Sequence, residues 1–237
     1  MTAFLGNIFG SLLKLVFDLV SQTGIESKHF SYYSLAIIIT TILFKLILLP
    51  VSLHQSKSTA KMNELQPQIK KIQKKYKSDP QTQQAKLMEL YKQNKYNPAS
   101  GCIILLIQFP IIIAFFRVLR EPITYVFKDP NVYAALNKGF LWIPNLEQPD
   151  PILWGLPLLA GLTTFLQTKL MAGSTPADPK VQSTQNTMNI ILPFMIFWAA
   201  RNFPSGLSLY WVVGNIFQVI QLLISNRSLG DIKGETR

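Results

Sequence analysis

Apolar positions along this chain fall into long runs separated by polar stretches. The first run without a polar face covers Tyr33–Leu53 and is broken by a single charge, Lys45. Four more follow at Gly101–Leu119, Ile152–Met171, Met188–Ala200 and Leu207–Ser225. A bilayer core takes about 20 apolar residues per helix, so the pattern predicts five spanning helices. The fourth is short and contains Pro193; Pro50, Pro110 and Pro157 also lie in or beside spans. Prolines are tolerated there where neighbours re-satisfy the freed carbonyl.

Two segments have a different period. In residues 2–22, Phe4, Leu5, Ile8, Phe9, Leu12, Leu13, Val16 and Leu19 make one broad apolar face, and Asn7, Ser11, Lys14 and Asp18 recur on the other. That stripe predicts a helix lying in the interface. A cleavable signal peptide would carry positive charge at its start, and the first ten residues have none. Between the first two spans, Met62, Leu65, Ile69, Ile72 and Tyr76 step by three and four, a heptad-like seam. Ser78-Asp79-Pro80 breaks that helix and starts another, with Pro80 in the first turn. Leu87, Met88, Leu90 and Tyr91 give the second helix an apolar face, and Asn97-Pro98 ends it. The expectation is an antiparallel helical hairpin.

The chain has 237 residues, 49% hydrophobic and only 15% charged, too apolar for an ordinary soluble domain. Its net charge of +11 is concentrated. Lys57, Lys61, Lys70, Lys71, Lys74, Lys75, Lys77, Lys86, Lys92 and Lys95 all fall between His54 and Ser100, opposed by Glu64, Asp79 and Glu89. By the positive-inside rule this loop is cytoplasmic. Alternation then puts loop 121–150 outside, 172–187 inside, 201–206 outside, the N-terminus outside and the C-terminus in the cytoplasm. Arg117 and Arg120 oppose this from the outer end of the second span, where they can snorkel, with Glu121 one turn from Arg117. The lysines act as a solvated face and topology signal, or contact anionic lipid headgroups or ribosomal RNA.

The expected organisation is all-α and polytopic. Residues 1–28 form an outer-surface amphipathic helix, 29–54 the first span, 55–98 the cytoplasmic hairpin, and 99–237 the remaining spans with outer loop 121–150 and a short cytoplasmic tail. Cys102 is the sole cysteine, and His29 and His54 are far apart, so no metal site or disulfide is expected. No phosphate-binding loop or nucleophile elbow is present, and no cofactor is expected.

Lys45 carries the candidate chemistry. It lies twelve residues after Tyr33, about 18 Å along a helix and near the middle of a ~30 Å core. Such a charge usually faces a cavity or a partner. None of the five runs contains an acidic residue, so the simplest solution is a water-filled cavity open to the cytoplasm. Thr41, Gln108, Gln167, Asn215 and Gln218 can line it, although each alone is more often an interhelical hydrogen bond than a substrate contact. Trp142, Trp154, Trp198 and Trp211 fall mostly near span ends, as in an aromatic belt.

Several stretches resemble the YidC-type membrane protein insertases, which have relatives in mitochondria and chloroplasts. They are TTILFKLILLPVSLHQSKSTAKMNELQP (40–67), LYKQNKYNPASGCIILLIQFPIIIAFF (90–116), FLWIPNLEQPDP (140–151), LAGLTTFLQTKL (159–170) and FPSGLSLYWVVGNIFQ (203–218). The resemblance implies a bacterial plasma-membrane protein with five helices around a polar groove, open to the cytoplasm and sideways to lipid and closed outside. It implies a positive residue, usually arginine, in the groove at position 45, and substrate contacts at Thr41, Tyr210 and Trp211. Lysine departs from that pattern, keeping the charge but not the bidentate fork. The implied partners are nascent membrane proteins, the ribosome, anionic lipids and, optionally, the Sec translocon, with no DNA. The implied activity is insertion without bond chemistry or nucleotide use. Its rivals are a small-molecule transporter, for which no inverted repeat is visible, and a structural subunit of a membrane complex.

Overall fold

The computed structural model describes residues 2–97, 100–171 and 179–234, with side chains except those of 2, 100–108, 179–186, 188 and 226–234. Its regular elements are helices: α1 (Thr2–Ser21), α2 (Tyr32–Ile47), α3 (Leu49–Lys75), α4 (Pro80–Gln93), α5 (Ser100–Arg120), a π-helical turn (Ile123–Phe127), α6 (Pro130–Ala135), α7 (Leu156–Met171), α8 (Pro179–Asn202) and α9 (Ser205–Gly234). The five apolar runs coincide with α2, α5, α7, α8 and α9. On length and apolarity alone, Ala3–Ser21 and Ser205–Ser225 can each cross a membrane, and the bent pair α2–α3 can count as a third span. The molecule is an all-α polytopic membrane protein.

The first span is shorter than its apolar run. The Ser31 hydroxyl caps α2 by accepting from the Ser34 N–H at 3.1 Å. The helix breaks after Ile47 and turns by 60° into α3. The cause is Pro50 in the first turn of α3: proline has no N–H to offer the Leu46 carbonyl and its ring clashes with that turn. Residues 49–54, expected in the first span, therefore open the long helix of the hairpin. That hairpin closes as expected: Leu65, Ile69, Leu87 and Leu90 are buried, with Met62, Ile72, Tyr91 and Tyr96 packed around them. Asp79 caps α4, its carboxylate accepting from the Thr82 N–H. The second helix ends at Gln93, four residues before Asn97, and Met88 is exposed.

The main core gathers apolar side chains from α1, α2, α5, α7, α9 and the π-helical turn. Its centre is aromatic: Phe9 stacks on Phe44 and meets Phe115 edge-on, and Phe115 stacks on Tyr210. The buried face of α1 is Phe9, Leu13, Val16 and Phe17, seated on α2, α5 and the turn. Gly10 lies so close to the Tyr125 carbonyl that a Cβ there would collide with it. Phe4, Ile8, Leu15 and Leu19 are exposed. The apolar face expected for α1 is therefore split between the bundle and the surroundings, and the polar stripe contains the ion pair Lys14–Asp18. Packed on the bundle in this way, α1 is more than a helix resting on a surface. The Arg117–Glu121 pair does not form among the described residues; Arg120 lies over the Phe116 ring instead.

Candidate functional site

The site lies where α2 meets α9. Gly206 sits in van der Waals contact with Ile37 near the start of α9. Two turns on, Gly214 faces Lys45: a Cβ at position 214 would lie 3.1 Å from the lysine Cε, 3.7 Å from Nζ and 3.8 Å from a methyl of Thr41. The ammonium thus rests over bare α9 backbone. Any larger residue at 214 would compete with it for space, and no periodicity in the apolar pattern marks that glycine.

Lys45 is half-buried. Among the described residues it has neither an ion pair nor a hydrogen bond. It stands in the last turn of α2, three residues before the break. Helix C-termini favour a cation, because their last carbonyls lack helical partners. The bend at Leu48 places such an end inside the chain's first apolar run, with Lys45 in its last turn.

The other expected site residues separate into groups. Thr41 is fully buried beside Lys45, and its hydroxyl donates to the Ile37 carbonyl of its own helix at 2.7 Å. Gln218 is buried one turn beyond Gly214. Asn215 faces α7 instead, donating to Thr164 at 2.8 Å and Thr163 at 3.2 Å. That is an interhelical tie, the commoner role of a polar residue in a membrane. Gln167 is half-buried on α7 and points its amide toward the Met171 sulfur. Tyr210 belongs to the aromatic core, its ring 4.2 Å from that of Phe115, and Trp211 is half-buried. The Gln108 side chain lies outside the described residues. The structure therefore brings Thr41 and Lys45 together against Gly214, leaves Gln218 buried one turn further along α9, and ties Asn215 to α7. Ser52, Gln55, Ser56 and Gln221, not singled out in the sequence, continue the polar character beyond the break.

Residues 138–155 fold over one end of the bundle. Ser31 donates both N–H and hydroxyl to the Gly139 carbonyl, and Ser205 does the same to that of Gln148. Ile143 and Leu146 are buried beneath. The Asp150 carboxylate accepts from the Leu156 and Ile152 N–H groups, which starts α7, and from Trp142 Nε1 at 3.0 Å. Trp142 is thus a specific donor, and Gly155 is required because a Cβ there would strike Asp150. Glu147 accepts from Tyr133 at 2.6 Å and Lys138 at 2.8 Å. Burial pushes its carboxyl up, but the hydrogen bonds from Lys138 and Tyr133 outweigh burial and hold it below the usual carboxylate range. This end of α2 and α9 is closed by backbone and apolar contacts.

Compared with known proteins, the chain matches the 60Kd inner membrane protein family over residues 25–231. It is 38% identical over 222 residues to the membrane protein insertase YidC of Clostridium perfringens, covering 91% of this chain and 87% of that one. To the YidC of Fusobacterium nucleatum it is 41% identical over 194 residues, covering 82% and 86%. To that of Oceanobacillus iheyensis it is 40% identical over 204 residues, covering 83% and 75%. With the match running from the start of α2 through most of α9 at such identities, this chain belongs to the 60Kd inner membrane protein family, that of the YidC membrane protein insertases.

Proposed function

We propose that this membrane protein insertase takes nascent membrane segments from the cytoplasm into a polar groove at the Lys45 seam and releases them sideways into lipid. The observation that carries this reading is Lys45 itself: half-buried, without an ion pair among the described residues, and beside a glycine that leaves room at its ammonium. A nascent segment first meets the lysine-rich hairpin. Acidic groups in its short outer tail are drawn to Lys45, and the groove shortens their path through hydrocarbon. The apolar segment then moves into lipid. At ~0.3–0.6 kcal/mol per mid-membrane Leu, Ile, Phe or Val, a segment of about 20 residues supplies the free energy without nucleotide. No bond is made or broken.

The groove is lined by Lys45 and Gln218, with Thr41 and Trp211 at its walls. The 138–155 cover closes it on the outer side. The hairpin lies in the cytoplasm, where its lysines approach anionic lipid and the ribosome, and the protein sits in the bacterial plasma membrane with its N-terminus outside. A photo-crosslinker at position 211 tests this. A ribosome-bound nascent membrane segment should crosslink there and not at exposed Trp154. A segment that never reaches 211 while still being inserted would place the path elsewhere.

A further inference from the structure

The seam between α2 and α9 does not stop at the break. Lys45 meets Gly214, and seven residues on in each helix Ser52 meets Gln221, the serine hydroxyl 2.8 Å from the Gln221 carboxamide oxygen. The 60° bend therefore leaves the first turn of α3 fastened to α9. Ser52 has one hydroxyl proton but two acceptors in range, the second being the Leu49 carbonyl at 3.0 Å. The carboxamide can serve as either donor or acceptor to the serine, because its two ends are exchangeable by a flip. In either orientation one end of a buried Gln221 has no partner among the described residues, and Nε2 is the unpaired atom as placed. Gln55 and Ser56, in the next turn of α3, are buried too.

A buried carboxamide used at one end is a poor static fastener, because the unused end costs free energy that an apolar residue would not. It suits a contact that is made and broken. We infer that Ser52 and Gln221 form a clasp across the mouth of the Lys45 groove, opened when an entering polypeptide supplies hydrogen-bonding groups of its own. The unpaired carboxamide end accepts the first such group, a backbone carbonyl or amide of the client, while Ser52 falls back on Leu49. α3 then swings about the break at Leu48 and carries the hairpin away from α9. The clasp rests on the insertase reading above and adds a positioning role for two residues outside the groove lining.

The test uses the full chain in membrane vesicles with Cys102→Ser. In Ser52→Cys/Gln221→Cys, a short reducible thiol-specific linker bridges the two positions. Bridging should abolish insertion of a ribosome-bound acidic-tailed client, and reduction should restore it. Separately, Gln55→Cys should react slowly with a water-soluble maleimide, faster once the client is present, and fast without client when Gln221→Leu is added. Full insertion through the bridged protein would overturn the clasp, as would Gln55→Cys labelling that neither client nor Gln221→Leu changes. If the protein with Ser52 and Gln221 intact fails to insert the client, the insertase reading fails instead. If bridging blocks insertion but reduction does not reverse it, the loss is damage, and the labelling result alone decides.

Discussion

The charge at position 45 should matter more than its shape. Lys45→Arg keeps the cation. Lys45→Ala removes the charge and leaves a small void over Gly214, while Lys45→Glu reverses the sign. At an effective dielectric of about 20, a client carboxylate about 4 Å from the ammonium is worth about 4 kcal/mol before dehydration is subtracted. The ammonium is half-buried, so both partners lose water on approach and most of that energy is offset. A net of about 1–2 kcal/mol, roughly ten-fold in the insertion equilibrium, remains. The assay is protease protection of two clients that differ only in tail charge. Lys45→Arg should insert both. Lys45→Ala should impair the acidic client roughly ten-fold and spare the neutral one, and Lys45→Glu should be worse for the acidic client. Equal loss for both clients in Lys45→Ala would refute the attraction argument and leave Lys45 as a hydrator of the seam.

Gly214→Ala should weaken acidic-tail insertion slightly, since the lysine Cε need yield only a few tenths of an ångström, and Gly214→Leu should reproduce the selectivity of Lys45→Ala in the paired-client assay. Glu147→Gln should lower thermal stability in detergent by about 1–2 kcal/mol, because Lys138 loses its partner. Since the folded chain holds the Glu147 carboxyl below its ordinary 4.5, its contribution is full above that pH and lost as pH falls through the folded value; an acid melting curve of wild type against Glu147→Gln should converge there. Hairpin amides should exchange with deuterium faster than those of α2 and α9, because the hairpin core is small, four buried leucine and isoleucine side chains with partly buried neighbours; equal protection would show that this packing suffices. Cysteines at Asn7 and Lys14 should both be labelled from outside by an impermeant reagent; labelling of Asn7 only from the cytoplasm would make α1 a sixth span.

Much of the architecture was legible because membranes impose a simple rule. Each backbone group in hydrocarbon must be paired within its own helix, so apolar runs of sufficient length become helices, and all five did. The hairpin was legible for a different reason: its seam positions and the Asp79-Pro80 stop are local signals, and Leu65, Ile69, Leu87 and Leu90 close on each other as spaced. The break at Leu48 was obscured because Pro50 stands inside a continuous apolar run, where composition does not distinguish a kinked span from one that has ended. The role of Gly214 was invisible because it depends on what lies across the seam. Asn215 and Tyr210 had the right residue types for a groove, but helix rotation turned Asn215 toward Thr164 and stacked Tyr210 on Phe115. Polarity in a span reports that a partner exists without saying which helix carries it. The cover at 138–155 was opaque for the same reason, since the backbone bonds from Ser31 and Ser205 to it leave no trace in the pattern.

The break and the charge belong to one arrangement. A lysine in a straight, fully bonded membrane helix would face only satisfied carbonyls and hydrocarbon, at a cost of several kcal/mol. Here Pro50 ends α2 shortly after Lys45, so the cation stands at a helix C-terminus. Gly214 removes the side chain that would otherwise cover it, and buried Gln218 lies one turn further along α9. The same proline starts α3 at a new angle and directs the hairpin away from the bundle. One residue thus sets the end of α2 shortly after the charge and the origin of the long helix of the hairpin. The end of α2 away from the break is held independently of α3, because Ser31 is hydrogen-bonded to the Gly139 carbonyl. The register of Lys45 against Gly214 is thus set from the Ser31 end of α2.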